Sequence, residues 1–227
     1  MSIRERVQDI LREVNGRAEV EAAAKGRTAR EIDEVIEAGI RIVGENYISD
    51  LKSVYYQVKK KAEWHFIGSV KTQKHDLLKR KFLEIIDMIE TVDSFDFALE
   101  LDKRCELIGK TMPVLVEVNS GRESQKSGVM PEEVLELVKK VARLGNVKVM
   151  GLMTMGPAVS QEEEIRPYFR LTKRLFDDIK RLNIPGVEMR YLSMGMSDTY
   201  RIAIEEGANI VRIGTLIFGA RKRGGLR

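Results

Sequence analysis

Eight short apolar, β-leaning runs, each separated from the next by a helical pattern, organise this chain of 227 residues. The runs cover 18–24, 41–44, 64–68, 84–92, 112–120, 147–155, 187–193 and 209–214. Between them the periodicity turns helical. Ser2 with Glu5, Thr28 with Glu31, and Ser160 with Glu163 form capping-box patterns. A helix is expected from about Asn46 to Lys60, and a basic one reaches Arg80. Asp93 or Ser94 caps the next, and Pro131 with two glutamates opens another. Tyr168, Leu171, Leu175, Ile179 and Leu182 stripe a long amphipathic helix, and Ser197 is the expected cap of a short one ended by Gly207. Strict alternation argues a parallel sheet, because parallel neighbours need crossover connections. Eight such units close most simply on themselves. The expected fold is therefore α/β, a single-domain (β/α)8 TIM barrel over residues 1–227. An open doubly wound sheet is the competing arrangement.

Composition narrows the function classes. At 43% hydrophobic, the chain has ample core material and is not disordered as a whole. Its 39 basic against 35 acidic residues leave a net charge of +4, far below a dedicated nucleic-acid binder. The basic runs Lys59–Lys61, Lys79–Lys81 and Arg221–Arg223 carry no interleaved stacking aromatics, so they read as solvated faces and no nucleic-acid partner is expected. Cys105 lies in an apolar helical stripe with Ala98, Leu101 and Ile108 and reads as core. No carboxylate pair or histidine cluster stands at metal-ligand spacing along the chain. The N-terminal segment has no signal-peptide core and no run approaches a membrane span, so a cytoplasmic location is expected.

In such barrels the chemistry sits at the carboxyl ends of the strands, and phosphate is commonly held after strands seven and eight. Those positions are occupied here by Leu192–Asp198 and by Arg212–Thr215, rich in Ser, Gly and Thr next to helix starts. By position alone Lys25, at the end of the first strand beside three alanines, reads first as an ordinary loop lysine among many basic residues, and alternatively as an amine that partial desolvation would fit for a Schiff base. Arg212 interrupts an apolar strand and needs a counter-charge or a ligand acceptor. Asn46 ends the second strand, as a site residue or as a helix cap. Trp64 and His65 read as a core tryptophan with a hydrogen-bonded histidine.

The segments AAAKGRTAREIDEVIEAG, VGENY, WHFIG, ESQKSG, GLMTM and LSMGMSDTYRIAIEEGANIVRIGTLIFG are similar, in order, to the pyridoxal 5′-phosphate homeostasis protein family. The resemblance implies the fold of the alanine racemase N-terminal barrel. It implies that Lys25 carries pyridoxal 5′-phosphate as a covalent aldimine, and that Ser193, Gly214 and Thr215 hold the phosphate. It also implies that Arg212 faces the pyridine nitrogen with Asn46 near the ring. Two segments depart from the family's usual wording. A-V-S-K-T-K-P is replaced by Ala22–Thr28, and L-Q-x-N-K after WHFIG by Val70–Lys74.

Physical chemistry bears on whether such a cofactor would turn over substrate. Arginine can only donate, so it keeps the ring nitrogen unprotonated and weakens the electron sink. The chain ends eight residues after Gly219, leaving no racemase-type second domain to supply an opposite-face proton group. No catalytic residue is therefore assigned. The expected function is storage, buffering or delivery of pyridoxal phosphate to dependent apoenzymes, by a monomer with little or no turnover. The alternatives are an amino-acid racemase, or a Schiff-base aldolase on a phosphorylated substrate.

Overall fold

In the computed structural model, which describes residues 1–220, eight parallel strands close into a barrel with β1 hydrogen-bonded to both β2 and β8. The basic run Arg221–Arg223 lies outside the described residues. The order is α1 (Ile3–Val14), β1 (Glu19–Ala23), α2 (Ala29–Glu37), β2 (Ile42–Glu45), α3 (Ile48–Val54), β3 (Glu63–Phe66), α4 (Val70–Leu77), α5 (Arg80–Leu83), β4 (Met88–Val92) and α6 (Phe95–Glu106). Then follow β5 (Met112–Glu117), α7 (Val134–Val141), β6 (Val147–Thr154), α8 (Arg166–Arg181), β7 (Val187–Met194), α9 (Tyr200–Glu205), β8 (Ile210–Ile213) and α10 (Thr215–Phe218). Single 3-10 turns precede α7 and α8.

Alternation within each strand separates two environments. Outward side chains such as Val20, Val43, Phe66, Ile89, Val114 and Val211 pack beneath the helices in one continuous core. A smaller apolar cluster of Met88, Leu115, Met150 and Met153 stands apart, joined by Tyr191. Cys105 is fully buried on α6 with Ala98 and Leu101, as its stripe predicts. No helix among the described residues is long and apolar enough to cross a membrane.

Three local readings are corrected. The run 84–92 is strand only from Met88, because Phe82, Leu83 and Ile86 fall at helical spacing and bury one face of α5 and the turn after it. The third capping box sits one residue later, on Gln161 and Glu164, while Glu163 pairs with Arg166. Ser197 does not cap α9. Thr199 closes that turn by accepting from the Met196 N–H at 3.1 Å, and Ser197 Oγ accepts from the Leu216 N–H at 3.4 Å. The loop after β7 is thereby tied to α10.

Candidate functional site

Two cavities open at the carboxyl ends of the strands and share Asn46, Ile67, Met155 and Met196 as a common wall. The smaller, about 210 Å³, is lined by Ala23, Lys25, Ser197, Asp198, Arg212, Gly214 and Thr215. The larger, about 390 Å³, lies against Glu117 and Asn119 of β5 and its loop, and takes in Lys126, Gly68 and Thr91. Met155 and Met196 are 40% and 39% exposed, so they serve as walls of the mouth rather than as core.

Five of the six residues singled out from sequence meet in the smaller lobe: Lys25, Asn46, Arg212, Gly214 and Thr215. Lys25 is exposed at its rim, so burial is not what would activate this amine. Its loop is fixed by Gly26, which adopts φ 69° and donates its N–H to Asp50 Oδ2 on α3 at 2.8 Å. Gly214 comes close to β1: a side chain there would meet the Ala23 carbonyl oxygen at 3.3 Å.

Asn46 does not cap α3. That end is closed instead by Gln73 of the divergent 70–74 segment, whose Oε1 accepts from the Ile48 N–H at 2.8 Å while its Nε2 donates to the Asn46 carbonyl at 2.7 Å. Asn46 Oδ1 is left buried without a partner against both lobes, an acceptor suited to a ligand donor. Gly68 permits this placement, because a Cβ on it would stand 1.9 Å from the Asn46 carbonyl oxygen. Gly68→Ala is expected to displace Asn46 and cost about 1–3 kcal/mol by overpacking. Chemical denaturation and the affinity for added pyridoxal phosphate read the two effects.

Ser193, the sixth residue, lines neither lobe. It is fully buried, and its hydroxyl donates to Glu90 Oε2 at 2.6 Å while accepting from Arg212 Nη1 at 2.5 Å. Arg212 also donates through Nη2 to the Thr154 carbonyl at 2.9 Å. His65 Nδ1 lies 2.8 Å from the other Glu90 oxygen, and Glu21 Oε1 stands 3.9 Å from the same nitrogen. Register places Glu21 directly across from Arg212 in the β1–β8 pair. Sequence reasoning missed this polar layer and its acids, although Glu90 and Glu117 break apolar runs as visibly as Arg212 does.

Its ionisation follows from burial and neighbours. Burial pushes the Glu21 carboxyl up, reinforced by the Glu90 charge and opposed by His65 and Arg212. Burial acts the same way on Glu90, but the His65 bond and charge, with Arg212 and Ser193, outweigh it and hold Glu90 low. Burial alone would lower His65, yet the surrounding carboxylates of Glu63, Glu90 and Glu21 raise it to about 10. The ligand atoms of Glu21, His65 and Glu90 lie within 4.8 Å of one another, a spacing a metal could use. A protonated imidazole committed to Glu90 is a counter-charge and not a ligand. In the larger lobe Glu117 is raised to about 7 by burial and by Asp93, and its Oε2 has no partner.

Comparison with known proteins gives the family and the fold. Residues 2–222 match the model of the family described as alanine racemase, N-terminal domain. The pyridoxal phosphate homeostasis protein of Aquifex aeolicus is 41% identical over 206 residues, covering 90% of this chain and 88% of that one. That of Helicobacter pylori strain 26695 is 38% identical over 200 residues, with 87% and 85% covered. Among solved structures, PipY of Synechococcus elongatus with pyridoxal phosphate bound superposes with a TM-score of 0.85 at 25% identity, over 96% of this chain and 100% of that one. Alanine racemase from Clostridium difficile shares the fold, with a TM-score of 0.78 at 16% identity, over 97% of this chain and 57% of that one. With its barrel, its lysine-bearing lobe and these likenesses together, the chain belongs to the pyridoxal phosphate homeostasis proteins of the alanine racemase N-terminal domain family.

Proposed function

We propose that this protein holds pyridoxal 5′-phosphate as a Schiff base on Lys25 and serves to store, buffer or deliver it, with little or no turnover. The observation that carries the reading is the convergence of Lys25, Asn46, Arg212, Gly214 and Thr215, from the ends of β1, β2 and β8, on one lobe. Binding of the cofactor by the homologous PipY supports it. Lys25 would supply the amine with which the cofactor's aldehyde condenses, releasing water, and hydrolysis would free it again. Gly214, Thr215 and Ser197 offer the phosphate a setting of backbone and hydroxyl groups, in place of the Ser193 hydroxyl already spent on Glu90 and Arg212. A guanidinium offers only N–H donors and no acceptor, so a ring nitrogen facing Arg212 serves as the acceptor. That disfavours carbanion chemistry and favours a holder over a racemase. The whole barrel acts in this reading as one cytoplasmic, monomeric unit, with dependent apoenzymes as recipients. The adjoining larger lobe gives an incoming amine room beside the lysine.

Adding pyridoxal phosphate to the purified protein is expected to produce a near-visible absorption band that borohydride fixes onto Lys25. Lys25→Ala should lose the band while melting like the parent, since its side chain is exposed at the rim. A parent protein that stays colourless would favour an aldolase, and racemisation of an L-amino acid faster than about 1 s⁻¹ would overturn the carrier reading.

A further inference from the structure

Arg212 is 3% exposed, and nothing in its long side chain fixes the guanidinium by itself. Two of its anchors come from the end of β6: the Thr154 carbonyl at 2.9 Å and the Met155 sulfur at 3.4 Å. The third is the Ser193 hydroxyl, a neutral group that accepts well only if its own proton points elsewhere. Glu90 supplies that direction. Its Oε2 takes the Ser193 proton at 2.6 Å, which turns the hydroxyl lone pairs toward Arg212. Its Oε1 is held by His65 at 2.8 Å, so the carboxylate cannot swing away. Direct contact between Glu90 and Arg212 is only 4.0 Å, and the serine relays the charge.

We infer that Glu90 is a positioning residue for the cofactor: acting through Ser193, it locks the Arg212 guanidinium into the floor of the lysine-bearing lobe and sets which hydrogen-bonding group meets the ring nitrogen there. The inference rests on the proposed function, since Arg212 faces a ring only if the cofactor occupies that lobe. The surroundings support it. Glu90 stands between the His65 imidazole and the Arg212 guanidinium, and Glu21 and Glu63 each face the same imidazole from 3.9 Å. Lys25 and Asp198 are the other charged groups lining the lobe. A neutral amide in place of Glu90 can donate to the serine, which would turn the hydroxyl proton against Arg212 and release the guanidinium.

The test compares the parent with Glu90→Gln and Ser193→Ala in the full chain loaded with pyridoxal phosphate. Three quantities are read: the absorption spectrum across pH, the rate of cofactor loss, and the melting temperature without cofactor. Both variants are expected to shift the pH at which the band converts and to lose cofactor about tenfold faster, the worth of one charge-assisted hydrogen bond. Wild-type spectra and loss rates in both variants would overturn the inference, even if the variants melt lower, because Glu90 would then serve the fold alone. Should Glu90→Gln fail to fold, the smaller Ser193→Ala change decides on the same readings. A parent that shows no band at all would instead sink the proposed function, so the two failures are told apart.

Discussion

From pH 5 to pH 9 the melting temperature of the cofactor-free protein is expected to fall continuously, with no plateau near neutrality. Three buried carboxyls are raised above their unfolded values. Burial, with Asp50 nearby, lifts Glu45 to about 8; burial and Asp93 lift Glu117 to about 7; and burial with Glu90 lifts Glu21. A group whose folded pKa is raised takes up a proton on folding. The stability it contributes is complete below the unfolded value near 4.5 and is lost as pH climbs through the folded one. His65 has the same sign over a later window, because its value rises from 6.5 to about 10. The losses therefore overlap between pH 5 and 8 for the carboxyls and run on to about 10 for the imidazole. Glu90 has the opposite sign, as do Glu63 and Glu206: held low, it contributes above 4.5 and fails only in acid. Differential scanning calorimetry across this range, with proton uptake on refolding read in unbuffered solution, checks the sign. A melting temperature that rises from pH 5 to 8 would mean these carboxyls are ionised in the folded state.

His65→Leu is expected to destabilise the fold by about 3–5 kcal/mol, the usual result of removing one member of a buried charge pair. The substitution strips Glu90 of its 2.8 Å partner and leaves Glu21, both of whose oxygens already lack partners, facing an apolar group. The loss should shrink in mild acid as Glu90 protonates, and the alkaline decline described above should flatten because its imidazole contribution is gone. Urea denaturation at pH 5, 6.5 and 9 separates the two windows, with the largest loss expected at the middle value. A loss unchanged across all three would mean that the histidine matters for packing and not for charge.

The fold was legible because strand and helix patterns alternate without a break, and barrel closure is the simplest way for eight parallel strands to avoid open edges. That Lys25, Asn46, Arg212, Gly214 and Thr215 line one lobe was legible because each stands at a strand end, where the rule for such barrels looks for chemistry. The layer beneath them was not. A glutamate within a strand, as in Ile89-Glu90-Thr91 or Val116-Glu117-Val118, reads locally as one polar face. Only the register of separate strands shows that Glu21, His65, Glu90, Ser193 and Arg212 converge. Ser193 was misread for that reason: its residue type suits phosphate, but the strand turns its hydroxyl toward Glu90. The role of Gln73 was hidden by the same blindness to partners, since its contacts lie 25 and 27 residues back along the chain.

The pairing of β1 with β8 also has a meaning for how the protein comes into being. Lys25 is made early in synthesis, yet the floor and far wall of its lobe come from Arg212, Gly214 and Thr215, nearly two hundred residues later. Until the last strand slots in beside the first, the lysine is only an amine on a growing chain. Ribosome-bound and prematurely released fragments thus lack the lobe, which exists only in molecules that have closed the barrel.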